Sequence, residues 1–149
     1  MILEPKKLEK TGGVAKYNLR PSEELKLKAM YEAINKDRVT QKILHHAGNN
    51  LEVVRTWIDP LTQLTCKGLL DIAIPKFSEV SDLKTTAAKS RAEYIEMLND
   101  YDYDRQTGFY AMGAKAKRVR IIGVQKVAPF NVFHAVSYTH LTLPTICSV

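Results

Sequence analysis

The chain has 149 residues, enough for one domain and too few for two independent cores. With 45% apolar and 26% charged residues it has the composition of an ordinary folded protein, and no apolar run approaches the roughly 20 residues of a membrane-spanning helix. Lys plus Arg outnumber Asp plus Glu by 22 to 16; the net charge of +6 suits a polyanionic partner without identifying one.

The N-terminal MILEPKKLEK has no long apolar stretch and no small-residue cleavage site, so a secretory leader is not expected and a cytoplasmic setting is. Met1 to Leu19, with Gly12-Gly13, reads as irregular. Pro21-Ser22-Glu23-Glu24 opens a helix, with Ser22 as the candidate cap and two glutamates suited to its positive end. Leu25, Met30 and Ile34 give it a rough apolar face, and it fades near Asn35 to Asp37. A second short helix is expected over Val39 to His46, ended by Gly48-Asn49-Asn50. LEVVRTWID, starting at Leu51, is rich in β-branched and aromatic residues and stops at Asp59-Pro60 like a strand. LTCKGLLDIAI, from Leu64 to Ile74, then forms a hairpin with it. Pro75-Lys76 breaks the second strand, and FSEVSDLKT forms a third. Ser90 and Glu93 have the spacing of a capping box, which starts a helical region running to about Lys115 and interrupted near Asn99 to Tyr101. RVRIIGVQKV, Arg118 to Val127, is a fourth strand. The expectation is an α/β (α+β) domain with a mixed central sheet of about four strands flanked by helices.

The last 14 residues, Val136 to Val149, contain no Asp, Glu, Lys or Arg. They resemble the translation of sequencing-adapter DNA at the end of a truncated read. The expected domain is therefore 1–135, with 136–149 a foreign tail of no functional weight.

Chemistry concentrates around Asp71 and the Asp82-Leu83-Lys84 triplet. Two carboxylates near the ends of adjacent strands can hold a hard divalent cation, and Lys84, two residues after Asp82, shares its strand face. An ammonium there can orient a water or stabilise the charge of a phosphoryl transition state. Glu52, at the start of the first strand, offers a third carboxylate. An acid two residues before a lysine occurs three times (Glu4 and Lys6, Glu24 and Lys26, Asp82 and Lys84), but only the third lies on an expected strand behind another acid. A solvated ion pair fits that spacing equally well. Gln106 and Tyr110, four apart, stack on one helical face. His45-His46 lacks a third metal ligand at suitable spacing, and two cysteines, Cys66 and Cys147, make neither a disulfide framework nor a four-ligand zinc site. Lys115, Lys117, Arg118 and Arg120 form a basic cluster at a helix–strand junction.

The ordered set resembles the PD-(D/E)xK nuclease superfamily, in particular its phage RecE (exonuclease VIII)-like, RecB-like branch. WIDPLTQLTCKGLLDIAI is similar to that branch's hairpin, VSDLKTT to its catalytic strand, YDYDRQTGFYAMG to its Tyr-rich helix with a Gln-x-x-x-Tyr motif, and Leu3-Glu4-Pro5 to a segment following an N-terminal His motif. The likeness spans about residues 1–135. It departs at Gly68-Leu69-Leu70, where the family has Arg and often Pro, and the chain as given starts after the family's G-x-x-x-H helix. The resemblance implies a restriction-endonuclease-like core. It also implies metal ligation by Asp71, Asp82 and the Leu83 carbonyl, with Glu52 matching the acid before the first core strand. Lys84 becomes the catalytic lysine, Gln106 and Tyr110 its helix motif, and Lys115, Lys117, Arg118 and Arg120 a DNA-binding patch. It implies a Mg2+-dependent (alternatively Mn2+-dependent) exonuclease acting 5′ to 3′ on double-stranded DNA in a phage or prophage recombination system. Its setting would be the cytoplasm of a bacterial host, with a single-strand annealing protein as partner and homo-oligomerisation of the full-length protein. The alternatives are a catalytically inactive nucleic-acid-binding remnant of the same fold, or an endonuclease of the superfamily.

Overall fold

A computed structural model describes residues 19–46 and 48–138, together with the backbone of 145–147. The Leu3-Glu4-Pro5 likeness and the irregular reading of the first residues lie outside the described residues. So do positions 139–144 and 148–149 of the expected tail.

Two helices lead, α1 (Pro21–Lys36) and α2 (Arg38–Leu44). The cap of α1 is Arg20 rather than Ser22: its backbone N–H donates to the Glu23 carboxylate at 2.9 Å, and Pro21 supplies the fixed φ suited to a first helical position. Asp37 caps α2 by accepting from the Thr40 N–H at 2.7 Å, and the Asn49 side chain closes its other end on the Ile43 and Leu44 carbonyls. The hairpin follows as β1 (Asn50–Ile58) and β2 (Thr65–Ile74), its turn held by Asp59 accepting from the Thr62 N–H at 3.0 Å. A single 3-10 turn over Pro75–Phe77 leads into β3 (Glu79–Thr86). Ser90 caps α3 (Arg91–Asp100), while Glu93 reaches back to the Lys89 N–H. The interruption expected near Asn99 to Tyr101 falls at Tyr101-Asp102, before α4 (Tyr103–Ala114). Then come β4 (Arg118–Gln125), β5 (Val132–Tyr138) and β6 (Thr145–Cys147).

The sheet is mixed, ordered β1-β2-β3-β4-β5-β6, with every neighbouring pair antiparallel except the parallel β3–β4 pair. It has two strands more than the four expected, both after Val127. β5 carries the sheet past the expected boundary at residue 135: Val136 pairs with Arg120 and is 2% exposed, and Tyr138 pairs with Arg118.

Helices cover the sheet on both faces. On one face α4 packs over Leu70, Ala73, Val80 and Val119, and α3 over Ile121, Phe133 and Ala135. On the other, α2 places Ile43 against Ile72, Ile74 and Ile122. Trp57 of β1 wedges under α4, where a Cβ at Gly113 would come within 2.5 Å of its ring, so only glycine lets helix and hairpin approach this closely. Gln125, 2% exposed, ties two loops together by donating to the Ala88 carbonyl at 3.0 Å and accepting from the Asn131 N–H at 3.2 Å.

Candidate active site

The site lies where β2 and β3 part. These strands pair over three residues only, Ile72 with Ser81, Ala73 with Val80 and Ile74 with Glu79. One step further the register would set Asp71 opposite Asp82, and there a side chain replaces the backbone ladder: the Leu83 N–H donates to Asp71 Oδ2 at 2.9 Å. The neighbouring strand β1 is irregular at the same level. Its register is unbroken from Leu51–Ile72 to Val53–Leu70, but the pair that would set Glu52 opposite Asp71 is missing, and Glu52 has a left-handed φ of 51°. In β2, Leu70 and Ala73, three residues apart, share one apolar cluster.

Alternation along β3 puts Val80, Asp82 and Lys84 on the face covered by α3 and α4. Asp71, Asp82, Leu70, Val80 and Tyr110 line one cleft under α4. Lys84 Nζ stands 3.0 Å from Asp82 Oδ2 and 3.3 Å from Oδ1, with its cation 5.4 Å from the centre of the Tyr103 ring. Asp82 is 8% exposed, and burial is the main influence on its carboxyl, lifting it above the usual carboxylate range against the pull of Lys84 and with the push of Asp71. Burial works the other way on Lys84, but Asp82, then Tyr103 and Asp71, outweigh it and raise the ammonium's pKa. Lys84 is therefore a cation at neutral pH.

The donor set suits a hard divalent ion. Asp82 Oδ2 is buried, and although Lys84 lies within ion-pair distance it makes no well-oriented hydrogen bond. It thus keeps a lone pair for an electropositive group, with a second carboxylate beside it.

The remaining expected residues divide. Gln106 Nε2 donates to Tyr110 Oη at 3.2 Å, and Tyr110 reaches the same cleft as the two aspartates. Glu52 does not join them. It is exposed on its left-handed residue, and among the described residues no three of His, Cys, Asp and Glu converge on one point. The basic cluster is not assembled either. Lys115 and Lys117 are exposed, but Arg118 and Arg120 alternate with Val119 and Ile121 and so point to the opposite face. There both pair with Glu79, whose side chain is 2% exposed: Arg120 Nε lies 2.8 Å from Glu79 Oε1, Arg118 contacts Oε2, and Ser81 donates to Oε1 at 3.2 Å. These two guanidiniums neutralise a buried carboxylate. Tyr103 and Tyr94, close to Lys84 and Asp82, were not singled out by sequence. The Tyr-rich stretch offered a signal for Tyr103, whereas Tyr94 looks like any apolar-facing helical residue.

Residues 3–137 match a family model described as a PDDEXK-like domain of unknown function (DUF3799). The chain belongs to this PDDEXK-like family. Among solved structures the domain is similar to SSO0001, with a TM-score of 0.52 at 16% identity over 83% of this chain and 55% of that one. It is also similar to a phage related exonuclease from Haemophilus somnus 129PT, with a TM-score of 0.47 at 15% identity, covering 70% of this chain and 48% of that one. The PDDEXK-like domain therefore spans about half the length of the structures it matches. No curated protein matches its sequence.

Proposed function

We propose that this PDDEXK-like domain is a metal-dependent deoxyribonuclease, with Asp71, Asp82 and the Leu83 carbonyl as the metal ligands and Lys84 as the catalytic lysine. The observation that carries this reading is the convergence, at the split between β2 and β3, of two carboxylates and one ammonium on a single sheet face. A divalent cation held there, Mg2+ or Mn2+, supplies charge neutralisation at the phosphate and a water of lowered pKa. Lys84, held charged by Asp82 at the edge of the cleft, stabilises negative charge developing on a phosphoryl oxygen. Tyr110 presents its phenol to the same cleft, held by the Gln106 amide that donates to it, and there positions the phosphate or a base. Exposed Lys115 and Lys117, beyond the end of α4, meet the DNA backbone; Arg118 and Arg120, bound to Glu79, do not.

The finer reading is an exonuclease of the RecE-like branch. It would resect double-stranded DNA 5′ to 3′ in a phage or prophage recombination system in the bacterial cytoplasm, beside a single-strand annealing protein and as an oligomer of the full-length protein. The likeness of the hairpin, the Asp-Leu-Lys strand and the Gln-x-x-x-Tyr helix to that branch supports it. Incubation with linear and with covalently closed circular duplex, each with Mg2+, tests both levels. Loss of the linear form alone is the expected result. Cutting of the circle makes the domain an endonuclease, and cleavage of neither overturns the reading.

A further inference from the structure

One buried hydroxyl beside the site has no role in the reading above. Tyr94 of α3 is 1% exposed, and its ring stacks on Phe133 at 5.4 Å between centroids. The ring lies over Gly123 of β4, where a Cβ would come within 2.5 Å of the ring and 2.7 Å of the hydroxyl. Gly123 pairs with Lys84, and Ile121, one position back on the same face, pairs with Asp82. The absent side chain at Gly123 thus makes room for the Tyr94 hydroxyl in the row of the sheet that bears Lys84. Among the described residues Tyr94 Oη has no hydrogen-bond partner, and Asp82 Oδ2, although 3.0 Å from the Lys84 ammonium, makes no well-oriented hydrogen bond. Buried hydroxyls are nearly always matched, so the Tyr94 hydroxyl, in the row of the sheet next to Asp82, calls for a partner. Burial first, and the Asp82 carboxylate second, push the phenol's pKa upward, which keeps its proton in place.

The geometry points to Tyr94 as a positioning residue that donates a hydrogen bond, relayed by one water, to Asp82 Oδ2 and so fixes the carboxylate that orients Lys84. This rests on the nuclease reading for its consequence but not for its existence. Tyr94→Phe keeps the ring and removes only the hydroxyl. At fixed neutral pH the 13C shift of the Asp82 carboxyl is expected to move in this variant while those of Asp37 and Asp59 stay in place. Turnover at saturating duplex DNA is expected to fall by about tenfold, the usual effect of losing a partner behind a ligand, with KM and melting temperature near those of the parent. An unmoved Asp82 shift overturns the proposal whatever the activity. A moved shift with parental turnover overturns the positioning role. If the parent itself cleaves nothing, the nuclease reading fails, and the Asp82 shift alone still decides whether Tyr94 and Asp82 are linked.

Discussion

Burial lifts the Asp82 carboxyl above its usual range even with an ammonium 3.0 Å away, so its charge costs the fold stability at neutral pH. The sign follows from linkage. As pH rises through about 3.9 the unfolded chain releases this proton before the folded one does, and stability falls until the folded carboxyl also ionises. Asp82→Asn keeps the shape and removes the charge. It is expected to stabilise the fold by about 0.5–2 kcal/mol, the usual size of a single stabilising substitution, and so raise the melting temperature by a few degrees, and to abolish cleavage. Differential scanning calorimetry checks the first half; a lower melting temperature would show that the Asp82–Lys84 pair holds β3 in place. At this scale much was legible in the sequence. Strand alternation alone puts Lys84 beside Asp82, and a Gln and Tyr four apart on a helix meet without tertiary information. Glu52 was not legible, because a left-handed φ, here 51° beside the missing pair with Asp71, leaves no mark in an alternating strand pattern.

Between elements, the cap of α2 and β5 are joined by a half-buried pair. His134 Nε2 and Asp37 Oδ1 are 2.9 Å apart, while His134 Nδ1 is buried with no partner. A neutral ring donating from Nε2 satisfies this geometry, whereas a second N–H would find no acceptor. Burial accordingly lowers the histidine's pKa despite Asp37, with the Arg120 charge adding to the effect. The unfolded chain takes up this proton near pH 6.5 and the folded chain only at lower pH, so stability falls on acidification below about 6.5. His134→Gln is expected to flatten that fall between pH 7 and 5, by up to about 1.4 kcal/mol per pH unit, in urea denaturation curves. Equal slopes for the two proteins would remove His134 as the cause. Arg118 and Arg120 show where element-level reading stops. Alternation puts them on one face together, but their partner Glu79 lies some 40 residues earlier on a parallel strand, and the register that joins them is invisible in a list of residues.

At the scale of the whole molecule, the order of helices and of the first four strands followed from punctuation by Pro, Gly and capping residues. The sheet's far side did not. VFHAVSY has β-branched and aromatic residues, yet its last three fall in the charge-free stretch from Val136, and that stretch's odd composition masked the strand. The two halves of that stretch are expected to behave differently. A chain ending at Tyr138 should melt within a few degrees of the full chain, since β6 adds only three paired residues. A chain ending at Ala135 loses buried Val136, worth about 1.5–3 kcal/mol, and should melt clearly lower. Thermal melts of the two truncations decide this, and equal values would show that β5 does not need its last three residues. The central claim, that Asp71, Asp82 and Lys84 form a hydrolytic site, divides into holding a metal and using a charge. Single-turnover cleavage by Lys84→Ala, read beside its Mn2+ binding, separates the two most directly. The expected rate is at least about 10²-fold below the parent with Mn2+ binding and fold retained; parental cleavage by this variant would contradict a role for Lys84 in the chemistry.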